Sequence, residues 1–166
     1  PQLLTLGINL NQTQNISCFN GSDGAISLSA NGGVFPFQYQ IDGGVLQDQN
    51  LFDELSSGDY EMSVIDSNNC EASFSYTLTQ PLQDFVISNY TLSDTLGYCA
   101  LCYGDSSGTV DIELSGGSFP FNYFVNENLS STPFDSSIKD LVGGQEYEFY
   151  VVDSLGCFSD TLALVC

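Results

Sequence analysis

The chain has 166 residues, of which Lys139 is the sole basic one, twenty-one are acidic and none is histidine, giving a formal net charge of −20. That excludes a phosphate-binding patch, so neither nucleic acid nor an anionic lipid surface is an expected partner, and it removes the commonest catalytic base. No apolar run is long enough to span a bilayer and no secretory leader opens the chain, so membrane insertion is not expected.

From the N-terminus, Leu4–Leu10 reads as a first strand. Ile26, Leu28 and Ala30 then alternate with serines and an asparagine, Phe37, Tyr39 and Ile41 with glutamines, and Tyr60, Met62 and Val64 with Glu61, Ser63 and Ile65; Ser73–Thr79 follows. The same series returns downstream as Phe85–Tyr90, then Val110, Ile112 and Leu114, then Phe121, Tyr123 and Val125, then Tyr147, Phe149 and Val151, then Thr161–Val165. In that last strand either Leu162 and Leu164 or Ala163 and Val165 face inward, since a one-residue slip exchanges the faces. Period-two alternation with almost nothing at helical spacing predicts an all-β chain. About seven short strands per series, punctuated by Gly, Asn, Asp and Ser turns, predict two tandem immunoglobulin-like β-sandwich domains.

The return is literal. Residues 18–39 read CFNGSDGAISLSANGGVFPFQY and residues 102–123 read CYGDSSGTVDIELSGGSFPFNY, with every shared letter at one offset, since 102 − 18 and 123 − 39 are both 84. Further on, Leu55…Gly58-x-Tyr60…Val64-x-Asp66…Cys70 answers Leu141…Tyr147…Val151-x-Asp153…Cys157. Such an internal repeat overrides the one-domain prior set by length and predicts units at 1–80 and 81–166. Pro1 falls on a repeat boundary, so the chain is expected to be an excerpt of a longer protein. Units this small bury a modest fraction of their surface and often need staples, and six cysteines in glycine-rich repeats point to disulfides in an oxidising, extracellular setting. The pairs Gly32-Gly33 and Gly116-Gly117 lead into Phe-Pro-Phe corners and read as turn-formers; a phosphate cradle would want a following helix and positive charge.

The order Cys…Asp/Ser-Gly…strand…Gly-Gly-x-x-Pro-Phe-x-Tyr…Gly-x-Tyr…Val-x-Asp…Cys, followed by a strand and Gln80-Pro81, resembles the SprB-type repeat. Such repeats occur in tandem in very large surface adhesins of Bacteroidetes-like bacteria exported by type IX secretion. The resemblance implies a non-catalytic stalk or filament segment at the bacterial cell surface, in cell adhesion or gliding motility. Its partners would be neighbouring repeats of the same long chain, other filament chains or surface glycans. The residues it carries over, such as Gly24, Pro36, Tyr39, Asp66 and their counterparts Gly108, Pro120, Tyr123 and Asp153, determine a fold rather than a reaction. The alternative is a carbohydrate-binding, lectin-like module or an accessory domain of a secreted hydrolase.

If a repeated unit repeats its own bond, the disulfides are Cys18–Cys70 and Cys102–Cys157, leaving Cys99 and Cys166, which have no counterparts in the first unit, to pair with each other. No cofactor is required. Zinc is disfavoured despite Cys99-x-x-Cys102, because a second close ligand pair is missing. Calcium is the candidate cation, with oxygen ligands from Asp23, Asp42 and Asp66, from Asp105, Asp111 and Asp153, or from Asp84 and Asp94 at the junction, against ordinary turn aspartates; no Asp-x-Asp-x-Asp loop is visible. Catalysis is not expected, since no nucleophile has a base and the carboxylates sit on turns and polar strand faces. Phe124 and Tyr150 break the alternation and are the candidate exposed aromatics of the second unit. Asp-Ser/Thr-aliphatic triplets mark Thr95, Ser154 and Thr161 as candidate O-glycosylation sites.

Overall fold

The computed structural model describes residues 2–93, 99–100, 102–129 and 136–166, and the chain divides into two units, Pro1–Pro81 and Leu82–Cys166. The first holds β1 (Thr5–Ile8), β2 (Gly24–Asn31), β3 (Gln38–Ile41), β4 (Leu51–Leu55), β5 (Gly58–Ile65) and β6 (Glu71–Leu78). The second holds β7 (Val86–Leu92), β8 (Gly108–Ser115), β9 (Asn122–Val125), β10 (Asn128–Leu129), β11 (Ser137–Leu141), β12 (Glu146–Val152) and β13 (Leu162–Val165). Antiparallel sheets β1-β2-β4 and β3-β5-β6 make the first sandwich; β7-β8-β11 and β10-β9-β12-β13 make the second. In each, the second and third strands lie in different sheets, the crossing pattern of an immunoglobulin-like sandwich. The first unit has six strands rather than about seven, and the second reaches seven among the described residues only through the two-residue β10.

Alternation decides which side chains leave water. Ile26, Leu28, Met62 and Val64 are buried in the first core with Leu4, Ile16, Tyr39 and Leu78. Their counterparts Val110, Ile112, Phe149 and Val151 are buried in the second with Phe85, Tyr123, Ile138 and Leu141. Each fully buried large apolar side chain contributes about 1.5–3 kcal/mol of transfer free energy, so the four matched positions supply a substantial part of each unit's stability. In β13, Leu162 opposes Phe149 and Leu164 opposes Tyr147, and both leucines are half-buried while Ala163 and Val165 face water. This fixes the register that sequence left open.

Two strands escaped the alternation, and the reason is common to both. β4 and β11 each carry a bulge that breaks their register against β2 and β8, with Glu54 (φ 55°) and Asp140 (φ 62°) in the left-handed region. The extra residue spaces the inward side chains three apart, Phe52 to Leu55 and Ile138 to Leu141, so a period of two cannot find them. Alternation also misplaces Ser27. The loop after β1 covers it: the Asn9 N–H donates to the Ser27 carbonyl (2.8 Å), the Ser27 N–H to the Thr13 hydroxyl (3.1 Å), and the Ser27 hydroxyl to Gln12 Oε1 (3.1 Å).

Candidate functional site

Each unit receives the chain at one end of its sandwich and releases it at the other. In the first, residues 2–4 arrive beside Gly32-Gly33 and Asp66, where β2 and β5 end; this is the leading pole. The chain leaves at Thr79 and Gln80, where Ile16 donates its N–H to the Thr79 carbonyl (3.0 Å), Asn15 Oδ1 accepts from the Thr79 N–H (3.0 Å), and Gln80 Oε1 accepts from the Asn20 N–H (2.9 Å). This is the trailing pole. In the second unit Asp84 and Phe85 arrive against Gly116-Gly117, and Cys166 ends beside Gln145, its N–H donating to the Gln145 carbonyl (2.9 Å).

A buried carboxylate organises each leading pole. Asp66 accepts backbone N–H bonds from Val34 (3.0 Å), Asn68 (2.8 Å) and Cys70 (2.9 Å); Asp153 accepts them from Ser118 (2.9 Å), Leu155 (2.9 Å) and Cys157 (2.8 Å). The aspartate thus pins the hairpin after β5 or β12 to the corner after β2 or β8. That corner needs glycine: at Gly32 (φ 75°) and Gly116 (φ 79°) a Cβ would lie 2.1 Å from the Leu3 carbonyl oxygen and 2.4 Å from that of Asp84. The corner leaves Phe35 and Phe119 at 80% and 81% exposure, each edge-on to Phe37 or Phe121.

The N–H donors, Cys70 foremost, hold the Asp66 carboxyl below its ordinary value against the opposing effect of burial, and the Ser17 hydroxyl and N–H do the same for Asp23. A depressed folded pKa supplies stability that is fully present above the unfolded value of about 3.9 and is lost as pH falls through the folded one. Acid titration of the melting temperature should therefore show Asp66→Asn losing its deficit relative to wild type below about pH 4. A pH-independent difference between the two proteins would refute the assignment. The comparison with the variant isolates Asp66 from the general relief of negative charge.

The trailing pole carries the cysteines of the Cys18/Cys102 position. Cys18 is half-buried in the loop before β2, its carbonyl accepting from the Gly21 N–H (2.9 Å). Cys102 is exposed, and its loop is tied to the β11–β12 turn by the Gly104 N–H donating to the Gly143 carbonyl (2.9 Å) and the Gly143 N–H to the Asp105 carbonyl (2.8 Å). Gly24 and Gly108 recur because β2 and β8 start against backbone: a Cβ would stand 2.7 Å from the Leu55 carbonyl oxygen and 2.6 Å from that of Leu141.

Of the three expected disulfides one is formed and two need correction. Cys99 is joined to Cys166, with Cα atoms 4.9 Å apart. The bonds Cys18–Cys70 and Cys102–Cys157 are not formed: Cys70 and Cys102 are free thiols, while Cys18 and Cys157 are disulfide-bonded elsewhere. The reason is geometric. Cys70 precedes β6 at the leading pole and Cys18 lies where β6 ends, so a strand of eight residues separates them. Cys102 and Cys157 sit at the two ends of the seven-residue β12. Strands of that length span roughly 20–27 Å, against the roughly 4–7 Å between Cα atoms that a disulfide tolerates.

The four foremost calcium candidates are not brought together. Asp66 and Asp153 serve as backbone acceptors at leading poles; Asp23 accepts from the Ser17 N–H (3.0 Å), and Asp105 from the Ser107 hydroxyl (2.6 Å). Among the described residues no three acidic or cysteine side chains converge as a metal site would require. Asp94 and Thr95 lie outside the described residues. Ser154 and Thr161 are exposed, Ser154 on the turn after Asp153 and Thr161 directly before β13. Phe124 and Tyr150 are half-buried rather than exposed, because they oppose each other across β9 and β12 and stack at 4.7 Å, 5° from parallel. Phe158, which the sequence reading missed, extends this strip 6.0 Å from Tyr150 at 65% exposure. It lies outside any alternating run, on a loop after the hairpin turn, so periodicity carried no signal for it.

Two segments of the chain, residues 10–46 and 100–129, match the family model of the SprB repeat. No curated protein matches the chain. Among solved structures it is similar to the fibronectin(III)-like modules of Clostridium thermocellum CbhA, with 12% identity over 95% of this chain and 90% of that one at a TM-score of 0.42. It is also similar to a C-terminal fragment of intimin in complex with the intimin-binding domain of its translocated receptor, with 13% identity over 96% of this chain and 62% of that one at a TM-score of 0.44. Domains 4 and 5 of the S-layer protein SbsC give 12% identity over 98% and 96% at 0.39.

Proposed function

The chain carries two SprB repeats in tandem, and from that premise we propose that it is a non-catalytic, length-giving segment of a repetitive bacterial surface adhesin or filament, working outside the cell in adhesion or gliding motility. The observation that carries this reading is the placement of chain arrival and departure at opposite poles of each sandwich. A unit built that way adds its long dimension to whatever precedes and follows it, and copies of a small unit generate length more readily than a deep pocket. The exposed rings Phe35 and Phe119 recur at the same pole of each unit, as expected of copies that serve one repeated role.

The carbohydrate-binding alternative has one observation in its favour, the aromatic strip Phe124–Tyr150–Phe158 on the outer face of the second unit, where the first unit has Gln40 and Ser63. Two measurements separate the readings. Antibodies against this segment should label intact cells, and the purified segment should give no saccharide binding above background on a glycan array. Labelling seen only after lysis would reject the surface role. Saturable saccharide binding abolished by Phe158→Ala would favour the lectin-like reading instead.

A further inference from the structure

We propose that Cys70 and Cys102 are the points at which this segment is covalently joined to further copies of the repeat: Cys70 to the trailing-pole cysteine of a preceding copy, Cys102 to the leading-pole cysteine of a following one. Only the choice of a repeat as the occupant rests on the array reading; the reactivity of the two thiols does not. Within a unit the matched cysteines stand at opposite poles, so neither unit can close its own matched pair. The internal repeat then supplies its own comparison. A trailing-pole cysteine is bonded in one unit, at Cys18, and free in the other, at Cys102; a leading-pole cysteine is bonded at Cys157 and free at Cys70. The same position is therefore a disulfide partner in one copy and an exposed thiol in the next.

The surroundings suit a second copy. Cys70 borders a depression of about 350 Å³ lined by Leu3, Val34 and Glu71, next to the corner that exposes Phe35. Cys102 adjoins the exposed Tyr103, whose ring lies over Gly144, where a Cβ would come within 2.4 Å of it. Apolar rings at both poles give copies something to bury on meeting. With a formal charge of −20 on each chain, however, copies repel at close range, and salt screens this only beyond about 8–10 Å. A covalent bond holds an end-to-end junction that such charge would otherwise open.

The step is thiol–disulfide exchange with a small-molecule or protein disulfide. One cysteine, as thiolate, attacks the donor and releases its first thiol; the second cysteine's thiolate displaces the donor's remaining sulfur. The new S–S bond forms, the donor departs as two thiols, and the two electrons and two protons leave with it.

The test uses the whole chain in oxidised and reduced glutathione, followed on non-reducing gels. Wild type should give a ladder of linked species. Cys70→Ser and Cys102→Ser should each stay monomeric alone, and their mixture should stop at a dimer whose peptide map contains a Cys70–Cys102 bond. Single variants that dimerise as fast as the mixture would mean indiscriminate surface thiols and overturn the proposal. A second arm removes the dependence on bimolecular encounter: two copies joined through the natural Thr79-Gln80 sequence, in which the internal Cys102 and Cys70 should become resistant to maleimide after oxidation. Continued labelling of both thiols there, or a Cys18–Cys70 or Cys102–Cys157 bond in the native chain, would also overturn it. Failure of the linkage leaves the surface-labelling result untouched, so the two readings fail separately.

Discussion

Replacing Cys99 and Cys166 together by alanine is expected to lower the stability of the second unit by about 4 kcal/mol, because the bond closes a loop with a sequence separation of 67 residues. For a domain of this size that corresponds to a fall of roughly 15–30 °C in its melting transition. Both cysteines are buried, and the carbonyl of Cys99 accepts from the Thr109 N–H (3.1 Å), so the bridge fastens the start of β8 to the end of β13. The first unit makes the same junction without a covalent bond, through Asn15 Oδ1 and the Thr79 N–H and through the Ile16 N–H and the Thr79 carbonyl. Asn15→Ala should accordingly cost the first unit only about 1 kcal/mol. Calorimetry of the two variants checks both figures. A shift of the second unit's transition no larger than that produced by Asn15→Ala would show that the bridge is not what holds this junction.

Much of this architecture was legible in the sequence, and the parts that were not have physical causes. The cores could be read because two sheets packed face to face demand alternation, and the repeat gave each inward position a second witness: Ile26 with Val110, Leu28 with Ile112, Met62 with Phe149, Val64 with Val151. β4 and β11 were hidden by their bulges. Ser27 was misplaced because a loop, which has no periodicity, covers the outer face of β2. Of the disulfides, Cys99–Cys166 was found, and the Cys18–Cys70 and Cys102–Cys157 pairings failed for a deeper reason. Matched cysteines show that a unit repeats, but a string of letters does not show that its two cysteines lie at opposite ends of a strand; that follows only once β6 and β12 are known to run between them. Phe124 and Tyr150 were found on the outer face by the same alternation, yet their mutual stacking across β9 and β12 removes them from full exposure, and a register is needed to see it.

The repeated aspartates are positions that the sequence singled out and to which the structure gives backbone partners. Acidity and turn placement made Asp66 and Asp153 candidate calcium ligands; in the structure their oxygens are engaged by three backbone N–H donors each. Asp153→Ala removes the acceptor for Ser118, Leu155 and Cys157 at once. Cys157 is itself buried, so its N–H has no ready access to water, and an orphaned buried donor costs about 1–3 kcal/mol. With the other two donors partly rehydrated, a total loss of about 3–4 kcal/mol is expected, which makes this the most damaging single side-chain truncation at either pole. Asp153→Asn, which keeps one carbonyl acceptor, should recover part of it. If the carboxylates work only as backbone acceptors, the melting temperature of wild type will be the same in chelator and in millimolar calcium, and the deficit of Asp153→Ala will be unchanged between the two. A calcium-dependent rise in wild type that Asp153→Ala abolishes would instead mean that the aspartate exchanges its N–H donors for a cation, and would return it to the role its sequence context first proposed.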